Sequence, residues 1–318
     1  MAKWGTIHPG ILRGIMGILM SGVAIAACRA APNAPINSSN PASGTIVVAS
    51  KDFTEQDILG ELLAQQIEKQ TTLKVDRRPR LGGSYVCHQA IINNKIDVYV
   101  EYTGTAATVS QLYANQPMPR EPQKLYQDLQ QRYAEKFNLA VLPGLGFENT
   151  FAIVIRGEDA ARYNVKTLSQ IAPHTPQWQA GFGYEFVERQ DGLAGLAKTY
   201  DLQFAKPPQA MDLGLIYRAL LQKQIDLTAG NSTDGQIARL GFVVLQDDRR
   251  YFPPYEAVPI VRQAVLTQYP ELRTAIAQLA GRITAEDMRR MNDQVESELR
   301  DVKAVVREFL QQPPRSQP

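Results

Sequence analysis

Cysteine and histidine are scarce in this chain, two of the one and three of the other among 318 residues. Cys28 and Cys87 cannot build a disulfide framework or a cysteine metal cluster. The histidines stand far apart, and no HExxH, GxSxG, Walker loop or strand-borne GxGxxG accompanies them. These absences leave no sign of an enzyme, a metal site or a cofactor. Nor is one sign of charge in excess, with 34 Lys plus Arg against 32 Asp plus Glu. A balanced surface offers no electrostatic footprint for nucleic acid. The apolar stretch 14–27 falls well short of the ~20 residues that a membrane-spanning helix needs.

That stretch has another use. It follows Lys3 and Arg13 and ends at Ile25-Ala26-Ala27-Cys28, giving the basic start, apolar centre and small residues of a secretory signal over 1–27. The cysteine directly after Ile-Ala-Ala resembles the lipobox of bacterial lipoproteins. The resemblance implies lipidation of Cys28, which becomes the mature N-terminus and anchors the chain outside the cytoplasm; the bland alternative is an ordinary signal with a chance cysteine. Residues 28–44 are rich in Ala, Pro, Asn and Ser and read as a flexible tether, because they cannot bury enough surface to offset ordering.

Folded sequence starts at Thr45, and the roughly 270 residues left are enough for one large or two ordinary domains. Strand-like apolar runs at 45–50, 73–75 and 96–100 alternate with helical periodicity, as at Ile58, Leu59, Leu62, Leu63 and Ile67. Thr54 with Asp57 predicts a capping box, and Phe53 with Ile58 a hydrophobic staple. The rhythm restarts after Leu142-Pro143-Gly144, with strands at 151–155, 178–182 and 225–229. A helical tail follows over 265–310, in which Pro270 opens one helix and Thr284 with Asp287 caps another. The order predicts an α/β fold with a largely parallel sheet. Cys87 reads as a small buried hydrophobe, and Asp234 as the cap of the helix after Thr233.

Open α/β sheets bind ligands where strands run into helices. Ser50-Lys51-Asp52-Phe53 puts a cation beside a helix N-terminus, a combination that suits a carboxylate or phosphate. Glu101-Tyr102-Thr103-Gly104-Thr105 offers a ring, a hydroxyl and a helix start together. Ser84 and His88, one helical turn apart, permit a hydrolase reading, but no third catalytic group accompanies them.

The words SKDFTEQ (50–56), LGGS (81–84), IDVYVEYTGT (96–105), ENTFA (148–152), ERQDGLAGL (188–196), MDLGLIY (211–217), NSTDG (231–235) and DDRRYFPPY (247–255) occur in one order across the chain. In these the chain resembles the glycine betaine/carnitine/choline-binding proteins of osmoprotectant ABC importers. The resemblance implies a type II periplasmic binding protein fold: lobe one at 45–147 and 252–318, lobe two at 148–251, a ligand cleft and two hinge crossings. It also implies a permease partner driven by a cytoplasmic ATPase. Its carboxylate clamp falls on Lys51, Thr105 and Arg189, and its aromatic box on Tyr102, Phe151, Asn231 and Tyr255. Asn149 adds a backbone carbonyl facing the cation.

The ligand's chemistry explains the residue types. A quaternary ammonium has no N–H donor, so aromatic faces surround it, each contributing about 0.5–2 kcal/mol. Its carboxylate needs charge-assisted donors. Asn231 departs from the box because an amide has no π-face, and losing a wall at about 1.4 kcal/mol weakens binding about tenfold. Tyr85 is expected to replace that wall, against the alternative of a helix-surface aromatic. Arg189 has the alternative of pairing with Glu185 or Glu188. The ligand implied first is glycine betaine, with choline, carnitine or ergothioneine as alternatives, and a ligand sensor that does not transport remains a second class.

Overall fold

The computed structural model describes residues 44–313; the signal, Cys28 and the tether up to residue 43 lie outside them. The first segment runs β1 (Thr45–Lys51), α1 (Thr54–Gln70), β2 (Lys74–Gly82), α2 (Ser84–Ile92), β3 (Val98–Tyr102), α3 (Thr103–Val109), α4 (Pro122–Phe137) and β4 (Leu139–Val141). The second runs β5 (Phe151–Arg156), α5 (Gly157–Tyr163), α6 (Leu168–Ile171), β6 (Gly181–Gly183), α7 (Tyr184–Glu188), α8 (Leu193–Tyr200), β7 (Gln209–Met211), α9 (Ile216–Leu221), β8 (Leu227–Asn231), α10 (Gly235–Arg239) and β9 (Phe242–Val244). The chain then returns through β10 (Ala257–Arg262) and closes with α11 (Gln263–Gln268), α12 (Pro270–Ala277), α13 (Ala285–Glu296) and α14 (Val302–Gln311).

The first sheet has the order β2-β1-β3-β10-β4, and the second the order β8-β5-β9, with β6 and β7 paired beside it. The expectation of a largely parallel sheet needs correcting. β1 lies parallel to β2 and β3, but β10 is antiparallel to β3 and β4, and β5 is antiparallel to β8 and β9. Both reversed strands directly follow a crossing between the sheets, so each enters its sheet from the other lobe. The two crossings run side by side: Glu148 bridges Glu256, the Asn149 N–H donates to the Tyr255 carbonyl, and the Ala257 N–H donates to that of Phe147.

Each sheet is covered on both faces. The periodic apolar residues of α1 (Ile58, Leu59, Leu62, Leu63 and Ile67) are fully buried together with Val305, Val306, Phe309 and Leu310 of α14. Each such side chain contributes about 1.5–3 kcal/mol. Tyr99, Leu125, Leu129 and Tyr133 fill the opposite face of the first sheet, while Ile153, Leu168, Phe182 and Leu227 form the core of the second.

Local readings fared unevenly. Pro270 opens α12, and Thr284 caps α13 in a reciprocal box with Asp287. Thr54 and Asp57 make no such box. Phe53 is the cap residue of α1, and Asp57 instead accepts from Ser50 and pairs with Arg80 at 2.8 Å. β2 extends through Asp76-Arg77-Arg78-Pro79-Arg80, well past the strand expected at 73–75. It is an edge strand, where solvent accepts charge and proline breaks no ladder. Among the described residues, no helix is long and apolar enough to cross a membrane.

Candidate functional site

β1 ends in Lys51, which is 2% exposed. A buried ammonium needs a partner, and its Nζ lies 2.5 Å from Glu101 Oε1 and 3.3 Å from Ser84 Oγ. It also stands 4.3 Å over the centre of the Tyr102 ring. Burial pushes the Glu101 carboxyl up, while the Lys51 charge and the Tyr102 N–H pull it back. At the junction of β3 and α3, a Cβ on Gly104 would meet the Tyr255 ring at 2.7 Å. That residue is glycine because the second tyrosine packs against its backbone.

The second lobe supplies the other side. Phe151 opens β5 in register with Asn231 at the end of β8. Arg189 ends α7 and is gripped by both oxygens of Asp191, at 2.8 and 2.6 Å, with its guanidinium 5.1 Å above the Phe151 ring. Asp191 also accepts the Tyr255 phenol proton at 2.7 Å. Burial works to raise the Asp191 carboxyl, but the charge and hydrogen bonds of Arg189 outweigh it and hold the group below its ordinary range. Arg189 therefore takes neither Glu185 nor Glu188 as its ion-pair partner.

A second buried carboxylate, Glu55, accepts four donors: the Tyr102 phenol at 2.5 Å, Thr233 Oγ1 at 2.5 Å, Asn149 Nδ2 at 2.8 Å and Asn292 Nδ2 at 3.1 Å. Because the Asn149 amide nitrogen points at this anion, its Oδ1 is left buried without a hydrogen-bond partner. Desolvation raises Glu55, with all four donors opposing the shift. Asp234 stands at the cap position of α10, yet its side chain does not cap that helix as expected. It accepts the Asn231 N–H at 2.8 Å and the Tyr217 phenol at 2.6 Å, and burial carries its pKa to about 7.

One cavity is lined by Lys51, Tyr102, Thr105, Asn149, Phe151, Arg189, Asn231 and Tyr255, eight of the nine residues expected at the site. Tyr85 is not in the lining. It is 36% exposed, because Ser84, Cys87, His88 and Ile91 form the buried face of α2 and leave its neighbour turned outward. The cavity also uses Phe53, Tyr184, Phe186, Glu185 and Asp212, which sequence reasoning missed. Glu185 of α7 reaches across to α2, accepting from the Ser84 N–H and from Ser84 Oγ at 3.1 Å. The Ser84 hydroxyl thus bonds Lys51 and Glu185 rather than the His88 ring, which packs edge-on to Tyr133 and Phe137 and is pushed down to about 4 by burial. The two do not form a nucleophile and base.

Residues 44–312 match the family model for the substrate-binding domain of the ABC-type glycine betaine transport system. The carnitine transport binding protein OpuCC of Listeria monocytogenes is 34% identical over 269 residues, covering 84% of this chain and 86% of that protein. The ergothioneine transport permease/ergothioneine binding protein EgtU of Helicobacter pylori is 35% identical over 268 residues, covering 84% of this chain and 47% of that longer protein. A crystal structure of a glycine betaine/carnitine/choline ABC transporter superposes with a TM-score of 0.68 at 31% identity, over 83% of this chain and 97% of that one. With the match spanning both lobes and the cavity between them, this chain belongs to the family of substrate-binding proteins of glycine betaine-type ABC transport systems.

Proposed function

We propose that the cavity captures a trimethylammonium zwitterion, glycine betaine first, and that carnitine, choline and ergothioneine are its nearest alternatives. The protein is the binding component of an ABC importer, not an enzyme; it works outside the cytoplasm and hands its ligand to a permease. In our reading Lys51, Thr105 and Arg189 hold the carboxylate, while Tyr102, Phe151 and Tyr255 face the ammonium. Asn231 closes the fourth side, and the unpartnered Oδ1 of Asn149, rather than its backbone carbonyl, faces the cation. Tyr85 is assigned to the rim, where it can still touch a ligand larger than glycine betaine.

The observation that carries this reading is one cavity holding two buried cations and three aromatic walls drawn from both lobes. A ligand touching both lobes holds them together, which is the differential contact that closure needs. We place the lobes at 45–147 with 252–318, and at 148–251. Calorimetric titration of the protein with glycine betaine, choline, carnitine and ergothioneine tests the reading. Saturable binding of at least one is expected, and binding of none overturns it.

Attachment through a lipid on Cys28 is the second part of the proposal, supported by the Ile-Ala-Ala-Cys pattern. Cys28→Ala is expected to release the protein from the membrane fraction of expressing cells, and unchanged membrane attachment would remove the anchor from the account.

A further inference from the structure

Behind three of the four box positions lies a carboxylate that does not itself line the cavity, Glu55 buried and Asp191 and Asp234 partly buried. Tyr102 gives its phenol proton to Glu55 at 2.5 Å and Tyr255 gives its own to Asp191 at 2.7 Å. Asn231 gives Asp234 its backbone N–H at 2.8 Å, with its amide at 3.4 Å. Phe151 has no proton to give and carries the Arg189 guanidinium instead.

We propose that Glu55, Asp191 and Asp234 set the affinity for a quaternary ammonium by placing negative charge behind Tyr102, Tyr255 and Asn231; the inference rests on the quaternary ammonium reading of this cavity. The attraction of a cation for an aromatic face is electrostatic and grows with the electron density of the ring. A phenol whose proton is drawn toward a carboxylate carries more density than a free one, so both tyrosines become stronger walls. Asn231 has no ring, and there the charge of Asp234 acts directly through a short polar side chain.

The charge balance points the same way. Glu101 is matched by Lys51, and Asp191 by Arg189. Among the described residues, Glu55 and Asp234 form no salt bridge; their hydrogen-bond partners are neutral hydroxyls, amides and a backbone N–H. Burying an anion without a counter-charge is costly, and a cationic ligand in the adjacent cavity supplies that counter-charge. Asp234 thereby serves the fourth side of the box, a task for which Tyr85 is not placed.

The test compares each cation with a ligand of the same shape and no positive charge. Glycine betaine and choline are titrated beside their tert-butyl isosteres, in which carbon replaces the quaternary nitrogen. The wild-type chain is expected to favour the ammonium of a bound pair by at least about tenfold. Asp234→Asn should weaken the ammonium ligand by about fivefold and leave the isostere within about twofold. Tyr102→Phe and Tyr255→Phe keep the ring and remove its link to the carboxylate; each should cost the ammonium about threefold and the isostere nothing. These two variants decide the matter if Glu55→Gln does not fold.

Equal losses for cation and isostere in all three variants would mean that the carboxylates only hold the fold, and the inference would fail alone. A wild-type chain that does not discriminate overturns the quaternary ammonium reading, and the inference with it.

Discussion

Lys51 and Arg189 bring the same charge to the same cavity, yet they are held differently. Lys51 pairs with Glu101 inside the first lobe, by one contact of 2.5 Å between side chains that are 3% and 0% exposed. Arg189 sits in a two-pronged grip on Asp191, whose remaining partner is Tyr255, from the chain's return to the first lobe. The first pair is internal to its lobe and neutralises charge in the core. The second is internal to lobe two, and the hydrogen bond from Tyr255 to Asp191 ties it across the cleft to a ring of the cavity lining. Loss of Lys51 should therefore show in stability as well as in binding, whereas loss of Arg189 should show mainly in binding.

The strongest way to break this comparison is to remove Lys51. Lys51→Met leaves Glu101 buried and unpaired and should cost about 3–5 kcal/mol in urea unfolding, most of it regained in Lys51→Met with Glu101→Gln. A loss below about 1 kcal/mol would mean that the pair is not a core element. Arg189→Ala should shift the unfolding midpoint less, but weaken carboxylate-bearing ligands about a hundredfold in calorimetry while sparing choline. Equal loss of choline would take Arg189 out of the carboxylate clamp.

The next effect is pH dependence. Asp234 faces Tyr217 of α9, Glu55 of α1 and Glu296 of α13, and the Arg239–Asp293 pair bridges α10 and α13 close by. Its pKa is raised from 3.8 to about 7 by burial. A carboxyl raised on folding adds stability below its unfolded value, and that stability is lost as pH climbs through the folded one. Thermal stability from this group should therefore fall between about pH 4 and about pH 7, whereas affinity for a cation should rise from about pH 6 to about pH 8. Asp234→Asn should flatten both profiles, and a variant that keeps the wild-type slopes would point to another group.

The smallest effect belongs to Glu185. Its carboxylate caps the first turn of α2 from the opposite lobe, an interaction worth about 0.3–1 kcal/mol at a helix N-terminus. Glu185→Gln should shift the ligand-free scattering profile slightly toward a wider molecule. An unchanged profile would show that this contact does not hold the lobes together.

Much of this could be read in the residues, for reasons that differ from place to place. The box at Thr284 and Asp287 was legible because both partners lie within one turn. Asp57 misled because its partner, Arg80, arrives from a neighbouring strand. β2 was cut short because charged residues and a proline suit an exposed edge and hide the strand signal. Eight residues of the cavity lining were reached through words shared with a family, while helix phase leaves Tyr85 outside that lining. The three carboxylates behind the walls left no comparable mark. Glu55 meets Tyr102 across 47 positions and Asp191 meets Tyr255 across 64, so only the fold makes them neighbours. For Asp234, the local pattern suggested a helix cap, and it was the burial of Tyr217 beside it that gave the side chain another task.

The paired crossings at Glu148 and Glu256 have a further consequence. They make lobe two one uninterrupted stretch of chain whose entry and exit emerge a ladder rung apart, the arrangement of a cassette spliced into a host. Phe151, Arg189 and Asn231 travel together inside that cassette, while Lys51, Tyr102 and Tyr255 stay with the host. Exchanging the cassette between relatives would replace half of these cavity-lining residues in a single step and leave the host's own sheet intact.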